Sequence, residues 1–365
     1  MSTENGLTPF GWSQALQAQF QLHVDQHPDQ GLIPGRVIIQ QRGLVRLVTP
    51  LGEFSAGVAG RLVHEAAPGD LPVAGDWVAA TTHQDGSGAT IHHVLPRASA
   101  FLRLASGPGG GLQVVAANVD LAFITASLNA DLSLRRIERY LAMAWESGAA
   151  PVVVLTKADL CDDVEALKVQ VEAVSGGAPV HAVSALTGEG LDGLAGLLGA
   201  GQTAVLLGSS GAGKSTLVNA LAGQQLMATQ AIIEQGARGR HTTTHRELIL
   251  LPSGGLMLDT PGMRELGLWE SDAGLSATFA DIETLATRCR FHDCAHGTEP
   301  GCAVRAALES GALDHGRWRS FQKLQRELAH LDRREDPIAR IEARRVWIRR
   351  TKDYRARKKG RDEDY

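Results

Sequence analysis

The apolar residues between positions 35 and 103 come in short alternating runs that Gly, Pro and Asp separate. Alternation with a period of two is the pattern of half-buried β-strands, and short strands broken by such turn residues are typical of small all-β folds. Five runs have this character: RVIIQQ, GLVRLVTP, GEFSAGVAG, DWVAATT and ATIHHVLP. They predict an N-terminal β-barrel of the OB type, a fold that often binds RNA and single strands. A purely structural barrel is an equal alternative, because OB barrels take many kinds of ligand.

The Gly-rich residues 106–111 are interpreted as a linker or loop. After them the pattern changes, and apolar strands alternate with amphipathic helices. Residues 118–127 and 151–155 are predicted to be buried strands, and residues 134–147 have helical periodicity. Repeated strand and helix units predict a mostly parallel sheet with helices on both faces. Nucleotide sites in such sheets lie at the carboxyl ends of the strands.

A phosphate-binding loop is the clearest chemical signal in this region. The stretch TAVLLGSSGAGKSTLVNALAG at residues 203–223 combines an apolar strand, the pattern G-x-x-x-x-G-K-S and a helix. Glycines let successive backbone amides point at phosphate oxygens, and the helix N-terminus adds its dipole. We expect Lys214 to reach the β- and γ-phosphates and the Ser215 hydroxyl to bind Mg²⁺. The predicted contacts are Gly208, Ser209, Ser210, Gly211, Ala212, Gly213, Lys214, Ser215 and Thr216.

Two loops upstream of the phosphate loop indicate guanine. The strand PVVVL is followed by Thr156, Lys157, Ala158 and Asp159. The Asp159 carboxylate can accept hydrogen bonds from N1–H and the exocyclic amine of guanine, a donor pair that adenine lacks, while the Lys157 stem packs over the ring. The next strand leads into Ser184 and Ala185, where backbone amides can meet the guanine carbonyl. Neither signal is specific alone, but together with the phosphate loop they predict a guanine nucleotide.

Two segments after the phosphate loop are predicted to meet the γ-phosphate and Mg²⁺. Residues 236–245 (GARGRHTTTH) have the composition of a loop and contain three threonines; the pattern does not distinguish among them, and Thr243 is the magnesium candidate that we carry forward. A strand pair, ELILLP and GLMLD, then ends in D-T-P-G. There Asp259 is placed to hold Mg²⁺ and Gly262 to bring its amide to the γ-phosphate.

Cysteine usage indicates a metal site rather than a disulfide framework. Three of the four cysteines lie in CRFHDCAHGTEPGC at residues 289–302. Thiolates at Cys289, Cys294 and Cys302 with one histidine form a set suited to tetrahedral Zn²⁺, and four protein ligands make such a site structural. His296 gives the spacing C-x4-C-x-H-x5-C, and His292 is a rival at a different spacing.

Composition and charge indicate the cellular compartment and the kind of partner. No run of about 18 apolar residues and no charged-then-apolar leader occurs, so we expect a soluble, cytoplasmic protein without membrane contact. A monomer is a separate expectation, which the sequence itself does not determine. The 365 residues carry a formal net charge of −4, yet residues 340–359 hold ten basic side chains against two acidic ones. This tail, downstream of a predicted helix at residues 318–330, suits phosphate contacts on RNA. A solvated helix face is the alternative.

The motifs stand in an unusual order. The guanine-reading loops come first, the phosphate loop second and the switch-like segments last, whereas ordinary small GTPases run the other way round. The motifs TKAD, SAL, GSSGAGKST, GRHTTT and DTPG occur in this order between the predicted barrel and the cysteine cluster. In this the chain resembles the RsgA (YjeQ) family of circularly permuted, ribosome-associated GTPases, from about residue 35 to at least residue 329. The resemblance implies hydrolysis of GTP to GDP and phosphate, stimulated by the small (30S) ribosomal subunit and its rRNA and used in late subunit maturation.

The resemblance also bears on single residues. It favours His296 as the fourth ligand of one structural Zn²⁺, and it supports His241 as a catalytic candidate that orients water, beside Lys214. Two positions depart from the usual GTPase pattern. Thr156 stands where many GTPases have Asn, which predicts weaker guanine binding because a hydroxyl offers fewer hydrogen bonds. Met263 stands near the place of a water-orienting Gln, so either another group orients the water or catalysis waits for a partner. For His241, packing the switch or contacting RNA is an equal alternative.

The expected architecture is multidomain. It comprises an N-terminal extension (1–34), an OB-type barrel (35–105), a circularly permuted α/β P-loop GTPase domain (106–272) and a zinc-binding, mainly α-helical domain with a basic tail (273–365). Mg²⁺ would accompany GTP. Two other functions stay open: an RNA-binding assembly factor with a structural nucleotide, and a P-loop ATPase or small-molecule kinase, against which TKAD argues.

Overall fold

The computed structural model describes residues 6–41, 44–66, 69–104, 112–129, 132–226, 246–259 and 272–335. The chain divides into two compact units, Met1–Gly267 and Leu268–Tyr365. No helix within the described ranges is both long and apolar enough to cross a lipid bilayer.

The N-terminal barrel is a closed five-stranded sheet, as the alternating pattern predicts. Its strands are β1 (Ile33–Gln41), β2 (Leu44–Thr49), β3 (Gly52–Val58), β4 (Trp77–Thr82) and β5 (Ala89–Val94), with helix α2 (Gly60–Glu65) between β3 and β4. They pair in the order β1-β2-β3-β5-β4 and close through β4 and β1; only β3 and β5 run parallel. The interior is filled by Val37, Leu47, Val78 and Ile91, all fully buried. This order, with a helix after β3, confirms the predicted barrel.

Helix α1 (Gln14–Gln26) packs against the barrel. The indole of Trp12, just before the helix, meets Phe20 edge-on with ring centroids 6.1 Å apart. The same indole meets Trp77 of β4 at 5.0 Å. Aromatic pairs of this geometry bury large apolar areas. The N-terminal segment therefore contributes to the packing of the barrel.

Three histidine rings stack where α1 meets β5. His93 of β5 lies between His23 and His27, with ring centroids at 4.7 and 4.9 Å and interplanar angles of 19° and 11°. Burial, with the adjacent His23 and His27 imidazoles, lowers the pKa of His93 to about 4. Burial and His27 also lower the pKa of His23. His93, at the centre of the stack, is therefore uncharged at neutral pH.

We expect the docking of α1 to weaken as the pH falls from 6.5 towards 4. The pKa of His93 is lower in the folded than in the unfolded chain, so in this window the unfolded chain binds more protons and stability is lost as the pH falls. Hydrogen exchange of the α1 amides, corrected for the intrinsic pH dependence, should accelerate in this range. The variant His93→Phe keeps an aromatic ring without a titrating group and should flatten the profile; equal profiles for both proteins would contradict the prediction.

A separate hairpin follows the barrel, and this hairpin was not predicted from the sequence. Strands β6 (Ala100–Leu104) and β7 (Leu112–Ala117) pair antiparallel. The Gly-rich residues 106–111 between them lie outside the described residues. This ladder crosses the boundary that we predicted between residues 105 and 106, and the domain boundaries stay predictions.

A six-stranded sheet forms the α/β part of the first unit. Its strands are β8 (Leu121–Ser127), β9 (Ala150–Thr156), β10 (Val180–Ala182), β11 (Thr203–Leu207), β12 (Arg246–Leu250) and β13 (Leu256–Asp259). The order is β10-β9-β8-β11-β13-β12, and all pairs are parallel except β12 with β13. The helices are α3 (Leu134–Ser147), α4 (Val164–Glu172), α5 (Leu191–Leu197) and α6 (Lys214–Ala222). Because Phe123, Val154, Leu206 and Met257 are buried on these strands, the sheet has the apolar centre that parallel strands require.

The barrel and this sheet share one hydrogen-bonded ladder. Strand β1 pairs antiparallel with β12 through Gln40 and Arg246, and through Ile39 and Glu247. The Arg246 guanidinium also donates to the Gln40 side-chain oxygen at 2.7 Å. The eleven strands thus form a continuous sheet. This pairing is not predictable from the sequence, because the two strands lie far apart along the chain and neither pattern specifies its partner.

The second unit is mainly α-helical, as predicted. Its helices are α7 (Asp272–Thr278), α8 (Ala280–Ala286), α9 (Ala303–Ser310) and α10 (His315–Glu335). Phe279 and Phe321 pack together with ring centroids 5.4 Å apart. The buried Arg317 guanidinium donates to both carboxylate oxygens of Asp281, at 2.8 and 2.7 Å. The basic residues 340–359 lie outside the described residues.

Candidate nucleotide and metal sites

The carboxyl ends of three parallel strands bring the predicted nucleotide motifs to one edge of the sheet. Strand β9 ends at Thr156, β11 ends at Leu207 and β13 ends at Asp259. Thr156 and Asp259 are also the first residues of TKAD and DTPG, and the phosphate loop begins directly after Leu207. Parallel pairing of β9 with β8, β8 with β11 and β11 with β13 makes this a single edge. The edge is where open α/β sheets bind nucleotides.

Glycine is required at the turn from β11 into the phosphate loop. Gly208 has φ = 152°, and a Cβ on it would collide with the hydroxyl and carbonyl oxygens of Thr125 on β8. The Thr125 hydroxyl donates to the carbonyl of Leu207 at 2.8 Å, so it holds the end of β11. Gly213, with φ = 83°, caps α6. The loop is therefore held close to β8 by contacts that a larger residue at 208 would prevent.

Lys214 begins helix α6, and its ammonium group lies over the loop. Nζ donates to the carbonyl oxygens of Gly208 at 2.8 Å and Ser209 at 2.5 Å. A lysine in this position presents a positive charge to a phosphate that the loop amides surround. Ser215 and Thr216 follow in the first turn of α6, where the helix dipole favours an anion.

Ser184 organises the loop that is predicted to read guanine. The fully buried Ser184 donates its hydroxyl to the Asp159 carboxylate at 2.6 Å. The same oxygen accepts from the backbone N–H groups of Leu186 and Thr187 at 3.3 and 3.1 Å. The backbone N–H of Ala158 donates to the carbonyl oxygen of Val183 at 3.1 Å, and this hydrogen bond joins the two loops directly. Ser184, predicted to lie near the base, thus orients the exposed Asp159 carboxylate through its hydroxyl.

Thr156 links the guanine-reading strand to the phosphate loop. Its side chain is buried, and its hydroxyl donates to the Ala212 carbonyl at 2.8 Å. The Thr156 oxygen also lies 3.3 Å from where a Cβ on Gly213 would stand. The hydroxyl thus bonds to the phosphate loop. The comparison of Thr156 with the Asn of other GTPases, which considers only contacts to the base, does not reveal this role. This hydrogen bond therefore links the strand that leads to Asp159 with the loop that leads to Lys214.

Replacing Thr156 by valine should weaken GDP binding about tenfold. Valine has the same shape but leaves the buried Ala212 carbonyl without this donor, a loss that costs about 1–3 kcal/mol. Thr156→Ser keeps the hydroxyl and is the matched control. Titration with a fluorescent GDP analogue measures both affinities. Valine and wild-type proteins with equal affinity would show that the hydrogen bond does not order the loop.

Other predicted nucleotide residues differ in how far the structure describes them. Asp259 is partly buried at the end of β13, next to the phosphate-loop strand. His241, Thr243 and Gly262 lie outside the described residues, and so does Met263. Their predicted roles in catalysis, magnesium binding and γ-phosphate contact stay predictions.

The second unit contains a four-residue cluster that could hold a metal ion. One ligand atom from each of Cys289, Cys294, His296 and Cys302 lies within 4.8 Å of the others. The Cys289 sulfur is 3.6 Å from His296 Nδ1 and 3.9 Å from the Cys302 sulfur, and the Cys302 sulfur is 3.5 Å from Nδ1. A zinc tetrahedron with ordinary bond lengths has edges of about 3.8 Å between sulfurs and about 3.6 Å between sulfur and nitrogen. The donor set and its spacing therefore fit Zn²⁺.

Backbone amides at the start of α9 support the thiolate form. The N–H of Ala303 donates to the Cys289 sulfur and that of Arg305 donates to the Cys302 sulfur, both at 3.4 Å. Desolvation acts to raise the pKa of Cys289, but backbone hydrogen bonds from Val304 and Ala303 and bonds with the two other thiols bring it below its ordinary value. A deprotonated thiol is the form that binds metal.

We expect His296→Ala to lose the metal and His292→Ala to retain it. His292 is exposed and outside the cluster, so it is a matched control within the same loop. Metal analysis of the purified proteins should give about one zinc per chain for wild type and His292→Ala. Circular dichroism should show loss of helix in His296→Ala, because a structural zinc supplies on the order of 10 kcal/mol to the folding of small metal domains. The opposite pattern of metal content would exclude His296 as a ligand.

Comparison with known proteins agrees with this geometry. A family model described as RsgA GTPase matches residues 94–269. A protein of Streptomyces avermitilis named small ribosomal subunit biogenesis GTPase RsgA is 47% identical over 352 residues, which cover 96% of this chain and 93% of the relative. The chain belongs to the RsgA family of GTPases. Membership in the RsgA family, inferred from the permuted motif order, is thereby confirmed, and the chain is a GTP hydrolase.

Further similarities support the same family. An RsgA of Opitutus terrae is 45% identical over 363 residues, covering 97% of this chain and 98% of the relative. The crystal structure of YjeQ from Thermotoga maritima has a TM-score of 0.59 at 26% identity and covers 82% of this chain and 99% of that one. The structure of YloQ, a circularly permuted GTPase, has a TM-score of 0.58 at 23% identity, covers 85% and 98% of the two chains, and shows the shared fold.

Proposed function

We propose that this RsgA-family protein acts in late maturation of the small (30S) ribosomal subunit and that the subunit stimulates its hydrolysis of GTP. The main structural support for GTP as the substrate is the hydrogen bond from Thr156 to Ala212, because it joins the predicted guanine-reading loop to the phosphate loop. The names of relatives that match almost the whole chain, small ribosomal subunit biogenesis GTPase RsgA, support the biological role.

In the proposed mechanism each end of the nucleotide has its own set of residues. Asp159, oriented by Ser184, accepts hydrogen bonds from guanine. Backbone amides of residues 208–216 and the Lys214 ammonium hold the β- and γ-phosphates and stabilise the charge that develops as the terminal bond breaks. Ser215 and Asp259, with Thr243, would hold Mg²⁺, which neutralises phosphate charge when bound. His241 is the proposed water-orienting group and Gly262 the proposed γ-phosphate contact.

The remaining partners are proposed from chemistry. The three cysteines of the cluster and His296 would hold Zn²⁺ as a structural ion. The OB barrel and the basic residues 340–359 contact ribosomal RNA, since OB barrels bind nucleic acid and basic segments pair with phosphates. We propose that the protein works as a monomer in the cytoplasm, where ribosomal subunits mature.

Co-sedimentation with isolated subunits tests the proposed role. The protein bound to a non-hydrolysable GTP analogue should pellet with small subunits and be released when GDP replaces the analogue. Large subunits are the matched control and should retain little protein in either state. Equal pelleting with both subunits, or binding that ignores the nucleotide, would contradict the proposal. The alternative, an RNA-binding assembly factor with incidental hydrolysis, predicts small-subunit binding without nucleotide dependence.

A further inference from the structure

Arg36 of barrel strand β1 is an almost completely buried cation that bonds to four separate segments. Its guanidinium donates to the carbonyl of Gly75 at 3.3 Å, to the carbonyl of Asn118 at 3.2 Å and to the carbonyl of Phe10. It also donates to the hydroxyl of Thr203 at 2.8 Å. We call Arg36 and these four partners the Arg36 junction.

One partner in the Arg36 junction begins the strand that carries the phosphate loop. Thr203 is the first residue of β11, and Gly208 follows directly after that strand. The backbone of Thr203 is fixed as well, because its N–H donates to the Asp120 carboxylate at 2.7 Å and its carbonyl accepts from the Asp120 N–H at 2.8 Å. The start of β11 is therefore tied to the barrel through Arg36 and to the start of β8 through Asp120.

Two backbone contacts that require glycine leave the junction little freedom to move. A Cβ on Gly75, which has φ = 94°, would collide with the carbonyl oxygen of Ala117. A Cβ on Gly11, which has φ = 90°, would collide with the carbonyl oxygen of Gly201. The barrel and the N-terminal segment thus touch the segments before β8 and β11 backbone to backbone. Close-packed contacts of this kind transmit displacement instead of absorbing it.

Charge explains why an arginine can occupy this place. Burial lowers the pKa of Arg36 to about 10, while Asp120 and Asp76 act to raise it, so the group is cationic at neutral pH. The guanidinium also lies over the Trp77 ring, 5.0 Å from its centroid. Breaking one partnership of a buried cation is costly, so its partners keep one arrangement.

We infer that Arg36 couples the barrel to the phosphate loop, so that RNA bound to the barrel changes the rate of GTP hydrolysis. The barrel is the proposed RNA-binding element, and the junction is its buried hydrogen-bonded connection to the phosphate-loop strand. A displacement of β1 caused by RNA binding moves the start of β11, and with it the phosphate loop that follows this strand. This inference rests on the proposed function, because it assumes that the small subunit binds the barrel and stimulates turnover.

The test removes only the hydroxyl that Arg36 contacts. Thr203→Val deletes it, Thr203→Ser retains it, and Thr82→Val on β4 is a control of the same chemistry away from the junction. We expect kcat and KM without subunits to stay within about threefold in all three variants, since the backbone bonds to Asp120 remain. With small subunits, kcat of Thr203→Val should fall at least tenfold relative to wild type, while the serine and control variants keep their stimulation. Full stimulation of Thr203→Val, or an equal loss with and without subunits, would overturn the inference.

A second readout does not need the ribosome. Addition of GDP should slow hydrogen exchange in β1 of the wild-type protein, and Thr203→Val should lose this protection while still binding GDP. If GDP leaves the hydrogen exchange of β1 in the wild-type protein unchanged, the inference is overturned. If subunits fail to stimulate the wild-type protein, the proposed function fails, and the exchange experiment still decides whether the junction couples barrel and loop.

Discussion

Changing Asp159 to asparagine is expected to lower GDP affinity by about two to three orders of magnitude and to raise affinity for xanthosine diphosphate. The carboxylate accepts from two guanine donors, and charge-assisted hydrogen bonds of this kind contribute about 1.5–3 kcal/mol each. A carboxamide offers one acceptor and one donor, which matches the N1–H and the 2-carbonyl of xanthine. Asparagine also remains within reach of Ser184, which lies 2.6 Å from the present carboxylate.

Competition for a fluorescent guanine nucleotide measures this change in base preference. Asp162→Asn alters an exposed carboxylate three residues further along and should leave both affinities unchanged. Equal GDP affinity in wild type and Asp159→Asn would mean that this carboxylate does not read the base. A loss of all nucleotide binding without any gain for xanthosine diphosphate would point to a collapse of the loop instead.

Changing Lys214 to alanine should reduce the rate of GTP hydrolysis at least a thousandfold. The ammonium group lies over the loop, on the carbonyl oxygens of Gly208 and Ser209, where it can neutralise charge on the transferred phosphoryl group. Loss of one group that stabilises developing charge typically costs 10²–10³ in kcat, and the lost phosphate binding adds to it. Single-turnover phosphate release is the appropriate measurement, because it separates chemistry from product release.

Lys168→Ala, a change on helix α4, is the control for Lys214→Ala and should hydrolyse GTP at the wild-type rate. Hydrolysis by Lys214→Ala within tenfold of wild type would remove this lysine from the mechanism. If the variant is inactive yet still supports subunit maturation in cells, hydrolysis is incidental and the assembly-factor alternative gains support.

The sequence predicted those features whose residues are contiguous or regularly spaced. The phosphate loop is one continuous stretch whose geometry its glycines and Lys214 determine locally. The barrel strands alternate with a period of two, and each forms where its own pattern placed it. The ligand spacing from Cys289 to Cys302 likewise lies within a short segment, although the choice of His296 over His292 came from the family resemblance.

The features that the sequence did not predict depend on partners far away along the chain. Arg36 bonds to Thr203 across 167 residues, and nothing around Arg36 distinguishes it from an exposed arginine in a strand. The Thr156 hydroxyl meets Ala212 across 56 residues, so comparison with Asn could not show that it holds the phosphate loop. The pairing of β1 with β12 and the hairpin of β6 with β7 are choices among many apolar edges, which only the complete fold decides.

The most direct test of the account is phosphate release by the wild-type protein from GTP and from ATP, each with and without isolated small subunits. Slow release from GTP that small subunits accelerate at least tenfold, with negligible release from ATP in either condition, is the result that we predict. Equal use of ATP, or a GTP rate that small subunits leave unchanged, would contradict it.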